Sequence, residues 1–390
     1  MSNVIFIGLV SFFADLSAEM VYPLIPLYLT MVFGATPALV GLIEGIAESL
    51  ASLLKVFSGY ATDKYRKKKP IAFFGYATGL VYKLALILAG SWVGILGARV
   101  IDRFGKGIRT TPRDVLVSES SDSAKLGHSF GLHKALDMAG SAAGILAAYF
   151  ILRAGKGIYD YKRIFLLSGI PAVLSLFMFI FIKETGKPRE SKAPLHVFKG
   201  IKTLDARLKL YLVVVFIFTL GNSSNTFLLL RAQNVGFDGA TVVLLYFLYN
   251  AVSSLLAIPL GRMSDRLGRK RILVGGYIIF AIVYGAFAWA PNKAVVTGAF
   301  ALYGLFTAMT AGVERAYIAE IAPKELKGTM LGLQSTIVGI ALFPASLIAG
   351  LLWSAFGPVA PFALGASLSL AASIVLASGR ILTKLSRKAG

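Results

Sequence analysis

Two ten-residue stretches, far apart in the chain, share one pattern. Residues 261–270 read Gly-Arg-Met-Ser-Asp-Arg-Leu-Gly-Arg-Lys, and residues 59–68 read Gly-Tyr-Ala-Thr-Asp-Lys-Tyr-Arg-Lys-Lys. The glycine, the aspartate and the basic residue after it recur at an offset of 202 residues (261 − 59). A second set recurs at an offset of 201: Glu119, Gly127 and Gly131 match Glu320, Gly328 and Gly332. The sequence therefore predicts an internal repeat of two similar halves.

Each half contains six apolar stretches that are long enough to cross a bilayer, which takes roughly 20 helical residues. In the first half they lie near 4–33, 37–58, 70–90, 92–116, 128–152 and 163–182. In the second half they lie near 209–231, 239–260, 272–290, 294–319, 329–353 and 358–381. Because six is an even number, both halves enter the membrane from the same side, which predicts a parallel repeat about an axis normal to the membrane.

These spans predict the fold class and the domains. We expect an all-α polytopic membrane protein of twelve transmembrane helices, arranged as two six-helix bundles. The bundles would be residues 1–182 and 208–390, and residues 183–207 would be a cytoplasmic linker that is rich in charge.

The composition is that of a bilayer protein. Hydrophobic residues make up 56% of the chain and charged residues only 15%, whereas about a quarter of a soluble domain is charged. The net charge of +21 comes from Lys and Arg in short loops between spans, so we expect no nucleic-acid partner. The distribution of these basic loops predicts an inner (cytoplasmic) membrane protein with both termini in the cytoplasm.

Several kinds of chemistry are excluded by residue content. The chain has no cysteine, and its three histidines are His128, His133 and His196. Disulfides, thiolate metal sites and cysteine nucleophiles therefore cannot form. Neither a metalloprotease H-E-x-x-H nor a phosphate-binding G-x-x-x-x-G-K-[ST] occurs. We expect no enzyme activity, no cofactor and no resident metal, so uphill transport would need an ion gradient or a separate motor.

The repeated loop resembles the signature of the major facilitator superfamily, G-x-x-x-D-[RK]-x-G-[RK]-[RK], which lies between spans two and three and is often echoed between spans eight and nine. The second copy is complete, and the first has Arg66 where the family has glycine. The residues that carry the resemblance are Gly59, Asp63, Lys64, Gly261, Asp265, Arg266, Gly268 and Arg269. It implies a secondary transporter that acts as a single chain, with loop contacts that latch the cytoplasmic ends of its halves and break when it opens inward.

The glycines of the loop predict a close approach of a neighbouring helix. The two aspartates, Asp63 and Asp265, can accept hydrogen bonds from a helix N-terminus. Span five carries Gly140-x-x-x-Gly144, followed by Ile145 where the family's antiporter motif has proline. The chain thus resembles an efflux-type member in part.

Ionisable side chains inside the spans cost on the order of 3 kcal/mol each, and the first half contains many. The candidates for a proton and substrate pathway are Asp15, Glu19, Glu44, Glu48, Arg99, Asp102, Arg103, His133 and Asp137. Arg99 and Arg103 share a helix face and repel each other unless acids lie between them. Some of the carboxylates of spans one and two would pair with them, and pairing alone could explain each single residue. For the whole cluster we favour transport, with Asp15 and Glu19 as the first choice for proton coupling.

The second half is mostly neutral. Asn222 and Asn225 lie in span seven at the place that corresponds to Pro23 and Pro26 of span one. Interruptions at matching positions of the two halves predict bent or unwound helices around a central binding site, so both asparagines join the pathway. In span ten, Glu314 and Arg315 are expected to form a local pair.

Three functions remain open at this point. The leading one is proton-coupled transport of a small solute by alternating access, more in the direction of efflux than of uptake. A divalent cation or metal could be the solute instead, since the span-one and span-two carboxylates would attract it, and so could an organic anion, since Arg99, Arg103 and Lys106 would bind it. A lipid flippase or scramblase is the third.

Overall fold

The computed structural model of the protein describes residues 2–65, 68–121, 126–155, 159–183, 206–322 and 327–386. Within these ranges every regular element is a helix. Eleven helical segments are long and apolar enough to cross a membrane. The twelfth expected span is the helix Trp92–Glu119, and it is the most polar because it carries eight Asp, Glu, Lys and Arg side chains. The predicted all-α polytopic fold is confirmed.

The helices of the first half match its six predicted spans. They are α1 Ser2–Glu19, α2 Ile25–Phe33, α3 Pro37–Tyr65, α4 Lys68–Leu88, α5 Trp92–Glu119, α6 Leu126–Ala154, α7 Tyr159–Leu167 and α8 Gly169–Met178. Short 3-10 helices, Tyr22–Leu24 and Phe179–Phe181, follow α1 and α8. The first span is thus divided between α1 and α2, and the sixth between α7 and α8.

The helices of the second half follow the same order. They are α9 Ala206–Gly221, α10 Thr226–Asn234, α11 Gly239–Leu267, α12 Arg269–Ala288, α13 Lys293–Thr310, α14 Val313–Ile321, α15 Lys327–Phe356 and α16 Val359–Ser386. Helices α3 and α11 both have 29 residues and start 202 positions apart (239 − 37). Helices α2 and α10 both have nine residues and start 201 positions apart (226 − 25). The internal repeat predicted from the loops therefore extends to the helices themselves.

The described helices form two compact units. The first unit contains Met1–Ala35, Ile46–Ala193 and Asp238–Phe247, and the second contains Thr36–Gly45, Pro194–Phe237 and Leu248–Gly390. The predicted linker, 183–207, lies almost wholly outside the described residues. The division of the chain at 182 and 208 therefore stays a prediction.

In the first unit, α1 and α6 approach each other closely at two glycines. A Cβ atom at Gly140 would overlap the backbone of Phe12, and one at Gly144 would overlap the backbone of Leu16. Small residues four apart let helix backbones touch in a bilayer, where van der Waals packing drives helix association. This contact brings Asp15 of α1 beside Asp137 of α6.

Candidate functional site

The first and seventh spans are both broken at the places predicted from the sequence. Helix α1 ends at Glu19 and α2 begins at Ile25, while α9 ends at Gly221 and α10 begins at Thr226. Pro23 and Pro26 lie at the first break, where proline removes backbone donors and favours a new helix start. The two ends, Glu19 and Gly221, are 202 positions apart (221 − 19). The predicted interruption at matching positions is confirmed.

Asp15 and Asp137 form a pair of carboxyl groups in the first unit. Their side chains lie close enough to interact, and Asp137 is only 9% exposed, while Asp15 is partly exposed. Two carboxylates this close repel each other when both are ionised. Lys134 Nζ lies 2.8 Å from Asp137 Oδ2, and Arg113 Nη1 lies 3.9 Å from Asp137 Oδ1. The pair therefore lies next to two cations.

A chain of buried polar groups near this pair joins α6, α1 and α4. His133 lies one turn before Asp137 on α6, and its Nε2 is 2.9 Å from Ser11 Oγ of α1. Ser11 Oγ is in turn 3.1 Å from the Tyr76 hydroxyl of α4. All three side chains are buried. Hydroxyl and imidazole groups both donate and accept, so this chain can pass a proton between helices.

The arginines of α5 form a separate ionic cluster. Arg103 Nη2 lies 2.6 Å from Glu48 Oε1 of α3. Asp102 Oδ2 lies 3.4 Å from Arg99 Nη1 and 3.7 Å from Arg103 Nε. The expected acid between the two arginines is thus Asp102. The ring of Tyr22 from the first break faces both guanidinium groups, with its centroid 5.4 Å from each Cζ atom.

The predicted pairing of these arginines with some of the carboxylates of spans one and two is met by Glu48 of span two, which pairs with Arg103. In span one, Asp15 lies beside Asp137, and Glu19 bonds to Tyr246. The second carboxylate oxygen of Glu19 is buried and has no hydrogen-bond donor in the described part of the chain. Glu19 therefore ends α1 with an unfilled acceptor at the helix break.

Glu44 does not join this group. Residues 36–45 belong to the second unit, where Glu44 is 1% exposed and the Ser224 hydroxyl donates to its Oε2 at 3.4 Å. Ser224 lies in the break between α9 and α10, and its backbone N–H donates to Ser346 Oγ at 3.2 Å. The four-residue spacing that suggested a common role for Glu44 and Glu48 thus spans two different environments.

The second unit has neutral and aromatic groups at its helix break. The Tyr303 hydroxyl donates to Asn225 Oδ1 at 2.7 Å, and Asn225 Nδ2 donates to the Tyr249 hydroxyl at 3.4 Å. Asn222 continues the end of α9 through its backbone N–H, which donates to the carbonyl of Phe218 at 3.0 Å. Asn225 is therefore the asparagine whose side chain is placed among the rings.

The expected Glu314–Arg315 pair is wrong. The Tyr277 hydroxyl donates to Glu314 Oε1 at 3.1 Å, and the Tyr211 hydroxyl donates to its backbone carbonyl at 3.3 Å. Arg315 is exposed. Adjacent residues on a helix point in different directions, which explains why the two side chains separate.

The sequence analysis did not include two buried basic residues among its candidates. Lys83 of α4 is 2% exposed and Arg109 of α5 is 8% exposed. Lys83 had a usable signal, because it is the one charged residue between Lys69 and Arg99 in the sequence. Arg109 was overlooked because it lies in the polar second part of span four, where it resembles a loop residue.

The repeated loop forms ion pairs inside each half. Arg269 bonds to Asp265 Oδ1 at 3.0 Å and to Glu320 Oε2 at 2.9 Å. At the equivalent place of the first half, Lys68 pairs with Glu119. Gly268 has φ +95°, which only glycine adopts without strain and which lets α12 begin directly after α11.

The remaining residues of the loop are placed only in part. Arg266 is exposed, and no heavy atom of the described residues lies near the position of a Cβ at Gly261. The predicted close approach at Gly261 is therefore wrong for this structure. The side chains of Asp63 and Lys64 and the surroundings of Gly59 lie outside the described residues. The described residues also contain no group of three or more Asp, Glu, His or Cys side chains that could hold a metal ion.

Comparisons with known proteins agree with this architecture. The family model described as Major Facilitator Superfamily matches residues 7–230 and 210–388. An uncharacterized MFS-type transporter of Methanocaldococcus jannaschii is 38% identical over 380 residues, covering 96% of this chain and 94% of its own. A multi-drug resistance efflux pump PmrA homolog of Lactococcus lactis is 32% identical over 183 residues, 45% of each chain. Among solved structures, a mutant of the nucleoside transporter NupG superposes with a TM-score of 0.82 at 9% identity, over 96% of this chain and 99% of that one.

Proposed function

Because this chain belongs to the major facilitator superfamily and is a multi-pass membrane transporter, we propose that it exports a small solute by alternating access, in exchange for protons. We place it in the cytoplasmic membrane with both termini in the cytoplasm, acting as a single chain. The observation that supports the proton coupling is the pairing of the Asp15 and Asp137 carboxyl groups beside Lys134 and Arg113.

A carboxyl pair of this kind suits a proton carrier. Releasing its proton leaves two neighbouring carboxylates, and their repulsion is offset by Lys134 and Arg113. A solute or a helix movement that weakens either cation contact would drive the proton back onto the pair. Binding and release of one proton are therefore linked to the arrangement of α1, α5 and α6, which is the requirement for coupling.

Access to the pair comes from both of its sides. Asp15 is partly exposed, and its neighbour Asp137 is buried and lies one turn from His133, which continues to Ser11 and Tyr76. Contacts with Lys134 and Arg113 favour the ionised form of Asp137, whereas the partly exposed Asp15 can exchange protons with water. We infer that Asp15 carries the proton during the conformational change.

The direction of transport rests on named relatives. The Lactococcus lactis relative is named a multi-drug resistance efflux pump homolog, and its match covers 45% of this chain. The Gly140-x-x-x-Gly144 contact that positions the carboxyl pair lies at the place of the family's antiporter motif. Both features favour export over uptake.

The test is proton flux in liposomes that enclose a pH-sensitive dye. A panel of lipophilic cations, organic anions and divalent metals is added on one side, and Asp15→Asn and Asp137→Asn are compared with the unmodified protein. We expect one class of solute to produce a pH change that both variants lose, because an amide cannot release a proton.

Asp238→Asn is the matched control, since it makes the same chemical change outside the spans. Hydrogen bonds from Thr241 hold the pKa of the Asp238 carboxyl below its usual range, so this control removes a charge that is present at neutral pH. Solute flux without any proton movement, or a full signal in both carboxyl variants, would contradict the proposal. Proton-independent flux of a metal, an organic anion or a lipid would favour that alternative instead.

A further inference from the structure

A small cavity lies inside the first unit among α1, α4, α5 and α8. Its polar lining consists of Ser17, Tyr76, Lys83, Asp102, Arg109 and Ser175. The space has room for about one water molecule. It is therefore far too small for a drug-sized solute.

Two of the lining groups are buried basic side chains with no carboxylate of the described residues within ion-pairing distance. Lys83 is 2% exposed and Arg109 is 8% exposed. Their contacts in the described residues are with rings: Lys83 Nζ is 4.4 Å from the ring centroid of Tyr82, and Arg109 Cζ is 4.7 Å from that of Tyr76. A buried charge without an ionic partner is costly. Such a pair of charges calls for an anion.

The one carboxylate of the lining is already engaged. Asp102 Oδ2 lies 3.4 Å from Arg99 and 3.7 Å from Arg103, and neither Lys83 nor Arg109 reaches it within ion-pairing distance. The hydroxyls of the lining are engaged as well, because Ser17 donates to the carbonyl of Ser168 at 2.7 Å and Ser175 donates to that of Val10 at 2.9 Å. The Tyr76 hydroxyl lies 3.1 Å from Ser11 Oγ. The cavity thus presents an excess of positive charge.

We propose that this cavity binds one small inorganic anion of halide size between Lys83 and Arg109. A halide fills the volume of about one water molecule and accepts N–H donors from any direction, as the two side chains require. A cation is repelled, and a larger organic anion does not fit. We call this place the anion site, and it is separate from the Asp15–Asp137 pair.

The anion site predicts a stability that depends on the anion and not on ionic strength. The purified protein in detergent is heated in sodium chloride and in sodium gluconate of equal concentration. We expect a higher Tm in chloride, because an ion that binds only the folded state stabilises it by mass action. In Lys83→Met and Arg109→Met, the apparent chloride affinity should fall by more than about tenfold, as is usual when one member of a buried charge pair is removed.

The difference in Tm between Lys83→Met and the unmodified protein distinguishes an anion site from a lysine that only supports the fold. In gluconate, Lys83→Met should be more stable than the unmodified protein, because it removes an uncompensated buried charge. In chloride that advantage should shrink or reverse. Lys162→Met is the matched control, since Lys162 is an exposed lysine of α7 in the same unit, and it should respond to chloride as the unmodified protein does.

Bromide soaked into crystals gives a direct reading, because its anomalous scattering marks its position. A peak between Lys83 and Arg109 that is absent in Lys83→Met supports the proposal. An unchanged chloride response in Lys83→Met, no chloride response in the unmodified protein, or a peak elsewhere would overturn it. None of these measurements depends on transport. The anion-site proposal can therefore be contradicted without affecting the proposed proton-coupled function, and the reverse also holds.

Discussion

Helix α5 and its repeat partner, α13 with α14, share a place in the fold but not a chemistry. Arg99, Asp102 and Arg103 of α5 correspond at an offset of 201 to Phe300, Tyr303 and Gly304 of α13 (300 − 99). Lys83 of α4 likewise corresponds to Tyr284 of α12. The first unit is held inside by ion pairs and the second by stacked rings, such as Phe280 and Tyr284 with centroids 3.9 Å apart.

This difference teaches that one helical scaffold accepts two kinds of interior. Charges inside a bilayer are costly unless they are paired, while ring stacking adds packing energy without that cost. If the two halves only had to form the same helical scaffold, stacked rings would serve in both, and the buried charges of the first unit would add only cost. We infer that the first unit handles protons and that the second shapes the solute pocket around Asn225.

The largest expected effect is from Arg103→Met. It leaves Asp102 and the partly exposed Glu48 with fewer cations, and breaking a buried pair costs up to about 3–5 kcal/mol. Thermal unfolding in detergent measures the loss. Adding Glu48→Gln should restore part of it, because the uncompensated carboxylate is then gone. Equal Tm values for Arg103→Met and the unmodified protein would show that this cluster does not hold the first unit together.

The next effect is from Gly140→Ala, which puts a methyl group into the backbone of Phe12. We expect a loss of about 1–3 kcal/mol from overpacking and a larger loss of proton flux, because α1 and Asp15 must move away from α6. The second half has alanine at the equivalent position, Ala341. Ala341→Gly, the reverse change, should cost about 1 kcal/mol in helix propensity and leave proton flux intact. Similar flux losses in both variants would remove the distinction between the halves.

A smaller effect is expected from the tyrosines around Asn225. Tyr303→Phe removes a hydrogen bond of 2.7 Å and Tyr249→Phe one of 3.4 Å. We expect Tyr303→Phe to weaken solute binding by about 1 kcal/mol and Tyr249→Phe by less. The number of protons moved per solute should stay the same in both, as measured by dye response against solute flux. A changed proton ratio would place coupling in the second unit as well.

The smallest effect is at the repeated loop. Arg269→Gln breaks a pair whose side chains are 30% and 52% exposed, whereas Lys68→Gln breaks one whose side chains are 14% and 23% exposed. Exposed pairs contribute about 0.2–1 kcal/mol and are screened by salt. We expect Lys68→Gln to lower the Tm more than Arg269→Gln, with both differences shrinking in high salt. Arg315 is exposed and has no ion pair in the described residues, so Arg315→Gln should leave the Tm unchanged.

The sequence predicted helices and breaks well, because both depend on local composition. Runs of apolar residues mark the spans, and Pro23, Pro26 and the polar residues 222–225 mark the interruptions. Ion partners depend instead on the rotation of each helix about its axis, which a single sequence does not contain. Asp15 was therefore recognised as a candidate, but the pairing of its carboxyl group with that of Asp137 was not predicted. Glu44 and Glu48 looked alike by spacing and lie in different units for the same reason.

The charges of α5 also have a consequence for how the protein is made. Each charge at the centre of a helix adds about 2.5–3.5 kcal/mol to the free energy of insertion from the translocon, and α5 carries eight such side chains along its length. Helix α5 cannot partition into lipid as an isolated segment. It must enter the bilayer together with helices that provide ionic partners, and α3, which carries Glu48, is synthesised before α5. Biogenesis of the first half is thus cooperative, and a mutation at Glu48 would act on topology as the chain emerges as well as on the finished protein.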